Sequence, residues 1–133
     1  MLLVIDNGSV YTKNLLDFLN NKKISFEKQT PELLDLKLLY NYNSFILSGR
    51  RKNEKIINEI NSKIINHAIQ NDKKLLGICY GAEILALTLG GTIRKLAFPQ
   101  KGNEKINIQR ENLLSNDDLQ VFESHGFEIS KLP

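Results

Sequence analysis

Short unbroken apolar runs alternate along the chain with helix-spaced ones. Leu2 to Ile5 is a continuous apolar run of strand length, the pattern of a strand buried on both faces of a parallel sheet. The turn Asp6-Asn7-Gly8-Ser9 follows, and Tyr11 to Asn20 carries apolar residues at Leu15, Leu16, Phe18 and Leu19, which predicts a first helix. Ile24 to Lys28 reads as a second strand. Thr30-Pro31-Glu32 reads as a helix start, with Thr30 as N-cap and Pro31 in the first turn, and the helix is expected to reach Leu39. Ser44 to Leu47 is a third strand ending in the turn Ser48-Gly49-Arg50-Arg51. Glu54 to Gln70 is the clearest helix, because Ile56, Ile57, Ile60, Ile64, Ile65 and Ala68 form a stripe at helical spacing, with Asn53 available as a cap. Residues 74 to 78 form a fourth strand, and Tyr80 to Leu89 a helix closed by Gly90-Gly91.

Strands alternating with helices across short loops predict an open, doubly wound, mostly parallel α/β sheet with helices on both faces. After Gly91 the pattern becomes shorter and more polar. Thr92 to Leu96, Glu104 to Gln109 and Leu119 to Glu123 read as three short strands added antiparallel to the sheet. The 133 residues fit one domain, 1–133.

Composition narrows the function classes. The chain is 41% hydrophobic and 25% charged with a net charge of +3, an ordinary balance for a folded soluble domain. Its basic residues are scattered rather than gathered in a stripe with aromatics, so no nucleic-acid partner is expected. No apolar segment has membrane-spanning length, so no membrane partner is expected. One cysteine and no targeting segment point to the reducing cytoplasm. No pattern calls for a metal or a cofactor.

The candidate chemistry centres on Leu75-Leu76-Gly77-Ile78-Cys79-Tyr80-Gly81-Ala82-Glu83. An apolar run enters Gly-x-Cys-x-Gly and a helix leaves it, as in a nucleophile elbow, where the central residue is strained and the flanking glycines let strand and helix approach. The blander reading is a buried cysteine between incidental glycines. A thiol before a helix N-terminus is expected to have a pKa below its ordinary value of about 8.5. Strand ends carry ligands in open α/β sheets, and Asp6 to Ser9, Ser48 to Arg51 and Cys79 to Gly81 all fall at such ends. Of the two histidines, His67 reads as an exposed or helix-end residue, and His125 follows a predicted strand.

These stretches together resemble a class I glutamine amidotransferase domain, over nearly the whole chain. Leu3 to Ser9 resembles the family's opening strand and loop, Phe45 to Gly49 the strand entering its oxyanion loop, and Leu76 to Gly81 with Gly90-Gly91 its elbow and helix. Ser124-His125-Gly126-Phe127-Glu128-Ile129 with Lys131-Leu132-Pro133 resembles a glutamine-contacting segment, nearest the glutaminase part of GMP synthetases. The resemblance implies that Cys79 attacks the glutamine amide and that Tyr80 and Arg50 line the oxyanion hole. It implies substrate contacts from Gly49, Glu83, Ser124, His125, Gly126 and Phe127, and ammonia delivery to a synthase. Glu83 stands where glutamine is usual in the family, and an exposed helix glutamate is the plainer reading.

Two departures follow. Gly49-Arg50-Arg51 replaces Gly-Gly-Pro, so Arg50 is expected to be strained, by about 1–3 kcal/mol, if the loop keeps a positive φ there. The family's His-x-Glu element, which holds the base, would lie downstream of Pro133. The fold is therefore expected to be C-terminally incomplete, with a sheet edge or face that favours a complementing chain, a synthase subunit or a homo-oligomer. Two alternatives remain: a catalytically impaired module that binds glutamine or a synthase subunit, and a different thiol enzyme with an elbow cysteine in a related sheet.

Overall fold

The computed structural model describes residues 1–133 and divides into two compact units. The first comprises Met1–Ile93 and Ile129–Pro133, and the second Arg94–Glu128.

The first unit contains four parallel strands, β1 (Leu2–Ile5), β2 (Phe26–Gln29), β3 (Ser44–Leu47) and β4 (Lys74–Gly77), in the order β2-β1-β3-β4. Val4 pairs with Lys28 on one side and Ile46 on the other, and Leu47 pairs with Gly77. Helix α1 (Thr12–Asn21) connects β1 to β2, α2 (Lys55–Gln70) connects β3 to β4, and α3 (Tyr80–Thr88) follows β4.

The alternation of side chains along a strand sorts the core into two layers. Leu3, Ile5, Phe45 and Leu47 pack with Ile57, Ile64, Ile65 and Ala68 of α2 and Tyr80 and Ile84 of α3. Val4 and Ile46 face the other way, onto Leu15, Leu16 and Leu19 of α1. The sheet is therefore doubly wound. Each fully buried Leu or Ile contributes about 1.5–3 kcal/mol. Coverage is uneven: β4 is an edge strand, and Leu76, the register partner of buried Ile46, is 42% exposed.

Four local expectations are corrected. The helix expected over residues 31–39 is a turn followed by a 3₁₀ helix, Leu36–Asn41, capped by Asp35 Oδ1 accepting from the Lys37 N–H at 2.9 Å. Asn53 does not cap α2; its Oδ1 accepts from Asn58 Nδ2. Ile56 lies off the buried stripe of α2, half exposed, whereas Asn61 lies on it, fully buried.

The fourth correction concerns the C-terminal part. Its three expected strands are two long ones, β5 (Thr92–Ile106) and β6 (Leu119–Lys131), forming a separate two-stranded sheet rather than additions to the parallel one. Thr92 meets Ser130, and Arg94 meets Glu128, which sets the pair antiparallel. Pro99 and Gly102 do not interrupt β5. In a two-strand ribbon each strand has an unpaired side, and a residue that cannot donate there breaks no ladder.

Candidate active site

The elbow is built by exclusion. A Cβ on Gly81 would lie 2.1 Å from the Leu47 carbonyl oxygen, and one on Gly77 would lie 2.4 Å from the Gly81 carbonyl carbon. Only glycine lets α3 start this close to β3 and β4. Between them Cys79 adopts φ 53° and ψ −114°, a positive φ in a non-glycine residue. The strand end is tied by the Ile78 N–H donating to Leu47 O at 2.9 Å, and the Cys79 carbonyl accepts from Ala82 and Glu83 to open α3. The strained backbone expected at the centre of Gly-x-Cys-x-Gly is thus present.

Three strand-end loops converge here. A Cβ on Gly49 would lie 3.3 Å from Ser9 Oγ and 3.5 Å from Cys79 Cβ. Gly8 and Arg50 form an antiparallel bridge. Beneath them lies a buried polar network. The Asn7 N–H donates to Ser48 Oγ, and Asn7 Nδ2 donates to Ser48 O and Asn61 Oδ1, while Asn61 Nδ2 donates to Asn7 Oδ1 at 2.7 Å. These bonds connect the ends of β1 and β3 to α2. Asp6 anchors the β1 loop, its Oδ1 accepting from the Gly8 N–H and the Thr12 hydroxyl.

Arg50 carries no positive φ, so the strain considered for a Gly-Gly-Pro-like loop does not arise; the loop takes another shape. Its guanidinium carbon stacks 3.9 Å from the Tyr80 ring centroid. Arg50 Nη1 and the Tyr80 hydroxyl both donate to Asn58 Oδ1, at 2.6 and 2.7 Å.

The thiol's ionisation differs from the expectation. Cys79 is exposed at the residue level, yet the protein around its sulfur limits hydration. That desolvation and the nearby Glu83 carboxylate push the thiol up from its ordinary value. The Tyr80 N–H, bonded to the sulfur, and the Arg50 charge pull the other way without prevailing. Glu83 is buried, not an exposed helix glutamate. Its position one turn into α3 explains why proximity to a helix N-terminus does not decide the balance.

The structure thus brings together Gly49, Arg50, Cys79, Tyr80 and Glu83. Ser124, His125, Gly126 and Phe127 lie on β6 in the second unit. There His125 Nδ1 meets the Phe127 carbonyl at 2.7 Å and Nε2 meets Glu123 at 3.1 Å. His67 packs edge-on to Tyr40 and Phe45 near the end of α2. Because α2 runs back from the end of β3 to the start of β4, this is the end of the sheet away from Cys79.

Asn58 and Asn61 were not among the expected site residues, whereas Asn7 belongs to one of the three expected strand-end loops. Asn61 had one legible signal: it falls on the apolar stripe between Ile57 and Ile64, where a polar side chain must find a buried partner.

The family model of class I glutamine amidotransferases matches residues 3–133. The chain belongs to this family. Among relatives of this amidotransferase, the GMP synthase of Petrotoga mobilis is 31% identical, over 99% of this chain and 26% of that protein. The glutamine-hydrolyzing GMP synthase subunit of Thermoplasma acidophilum is 27% identical, over 99% of this chain and 67% of its own length. The chain thus spans about a quarter of one relative and about two-thirds of the other. The crystal structure of a GMP synthase subunit protein from Thermoplasma acidophilum matches with a TM-score of 0.82 at 25% identity, over 99% of this chain and 67% of that one. A glutamine amidotransferase from Thermotoga maritima, 22% identical with a TM-score of 0.72 over 98% of this chain and 62% of that one, shares the fold. No helix is long and apolar enough to cross a membrane.

Proposed function

We propose that this amidotransferase is a glutaminase acting through Cys79 and delivering ammonia to a synthase, with GMP synthesis, and so purine biosynthesis, as the reading that its relatives favour. The observation that carries the proposal is the strained elbow, with Cys79 facing the Gly49 loop and the Tyr80 N–H on its sulfur. The sulfur attacks the side-chain amide carbon of glutamine, an S–C bond forms, the thiol proton passes to the amide nitrogen through the base, and the C–N bond breaks to release ammonia. Water then cleaves the thioester to give glutamate and restore the thiol. The Tyr80 N–H and the Gly49-Arg50 segment donate to the transient oxyanion, where preorganised donors contribute most.

Glu83 receives the substrate's α-ammonium group. The two units act as one domain in the cytosol, with no cofactor. Neither histidine begins a His-x-Glu element, so the base comes from outside residues 1–133, whether from a downstream segment, a complementing chain or a synthase subunit. The open face at Leu76 and the β4 edge suit such a chain or a second copy.

A glutamine-like electrophile tests this reading. Cys79 should be alkylated, glutamine should compete, and Cys79→Ser should abolish the label. Ammonia should be released once the ATP-binding subunit of a GMP synthase is added. Absence of labelling both with and without that subunit overturns the proposal. Competed labelling without ammonia release in either condition supports the second reading, a glutamine-binding module that does not turn over, which the raised thiol favours.

A further inference from the structure

Arg50 is the feature of the site that the resemblance least accounts for, and the structure engages it through two side-chain relations, braced by two more among its partners. Its guanidinium lies flat on Tyr80, with the carbon 3.9 Å from the ring centroid. Its Nη1 donates to Asn58 Oδ1, which also accepts from the Tyr80 hydroxyl. Asn58 stands in the first turn of α2, and its Nδ2 donates to Asn53 Oδ1. Ring face and carbonyl thus constrain the planar guanidinium from two directions. Tyr80 directly follows Cys79 and has its N–H on the sulfur.

We propose that Arg50 is a positioning residue whose guanidinium, clamped between the Tyr80 ring and Asn58, holds a fixed positive charge beside Cys79 and fixes the residue that donates to its sulfur.

The inference rests on Cys79 being the reactive group, and its test does not require glutamine hydrolysis. The charged groups acting on the sulfur are Glu83 from α3 and Arg50 from the loop after β3. One disfavours the sulfur anion and the other favours it. The loop that lacks the family's second glycine thereby gains a cation, whose effect on the thiol opposes that of the buried carboxylate of α3. Lysine does not replace this arrangement, because an ammonium is not planar and cannot both stack and donate in a fork.

Cys79 is the chain's only cysteine, so alkylation by iodoacetamide reports it alone. The rate is followed from about pH 6 to pH 10, a range spanning the ordinary thiol value of about 8.5. Arg50→Met should move the midpoint up and slow alkylation at neutral pH by on the order of tenfold, the factor one pKa unit carries. Arg50→Lys should recover part of the shift, and Asn58→Ala should move the midpoint the same way by less. Glu83→Gln should move it down.

Thermal melts of each variant separate these effects from unfolding. If Arg50→Met does not fold, Arg50→Lys and Asn58→Ala are decisive. Midpoints equal to wild type in the folded Arg50 variants overturn the proposal, and an unchanged midpoint in Asn58→Ala overturns the clamp. A shifted profile with no labelling by the glutamine-like electrophile would retain the positioning role and remove the glutaminase reading.

Discussion

Two loops meet at Cys79 and are held by opposite means. The β4–α3 elbow is fixed by what is absent. Gly77 and Gly81 carry no Cβ, and backbone fills the space one would need. The β3–α2 loop is fixed by what is present, the Arg50–Tyr80–Asn58 cluster above and the Asn7–Ser48–Asn61 network below. Steric exclusion is all-or-none, because a contact of about 2 Å with backbone cannot be relieved by rotating a side chain. A polar network is graded, because each bond contributes separately and the remaining partners can stay engaged. The elbow should therefore fail abruptly on substitution and the loop in steps.

The largest effect is expected at Gly81→Ala. The added carbon would lie 2.1 Å from Leu47 O and 2.8 Å from Leu47 C. To admit it, α3 must move off β3, which breaks the contact of Tyr80 and Ile84 with the core. A loss above about 4 kcal/mol is expected, the range reserved for such backbone conflicts, read by urea denaturation. A loss below about 1 kcal/mol would break the comparison by showing that the elbow adapts.

A smaller effect is expected at Asn61→Ala. Asn61 is fully buried, its Nδ2 donating to Asn7 Oδ1 and Ile57 O and its Oδ1 accepting from Asn7. The substitution orphans one acceptor of Asn7, while Asn7 Nδ2 keeps Ser48 O at 3.1 Å. Leaving a buried polar group without its partner costs about 1–3 kcal/mol. Urea denaturation of Asn61→Ala should give a value in that range, and a loss as large as that of Gly81→Ala would erase the distinction between the loops.

The elbow was legible in the sequence for the same reason that it is rigid. Its requirement is local, so Gly77, Cys79 and Gly81 display it within five residues. The strands β1 and β3 were legible because strands covered on both faces read as continuous apolar runs, and β4 carries an apolar run although its Leu76 is 42% exposed. The loop's place at the end of β3 was legible but its fastening was not, since its bonds join residues far apart in the chain, such as Asn7 with Asn61 and Tyr80 with Asn58. The direction of the thiol's shift was missed for a related reason: it depends first on the desolvation of the sulfur and then on the nearby Glu83 carboxylate, and only packing reveals either. Residues 31–39 misled because Thr30-Pro31-Glu32 imitates a helix start, while Asp35 caps a shorter 3₁₀ helix further on. In the C-terminal part, residues 97–103 read as a break between two strands, yet β5 runs through them, because Pro99 and Gly102 are tolerated in a ribbon where a central strand would exclude them.

The sharpest form of the comparison places the same residue at both loops. At Cys79 the backbone is at φ 53°, a conformation that costs a residue with a Cβ about 1–3 kcal/mol and glycine almost nothing. Glycine also loses more chain entropy on folding, roughly 0.5–1 kcal/mol relative to alanine. Cys79→Gly should therefore be more stable than Cys79→Ala by about 1 kcal/mol, the difference of those two terms. At Arg50 φ is not positive, so glycine relieves nothing. It adds the entropy cost and removes the stack on Tyr80 and the bond to Asn58. Arg50→Gly should be less stable than Arg50→Ala by about 0.5–1 kcal/mol. Opposite signs for the two Gly-versus-Ala differences, measured by urea denaturation of the four variants, would locate the strain in the elbow alone. Equal signs would mean that the loop shares it, and that the arginine is tolerated despite its backbone rather than because of it.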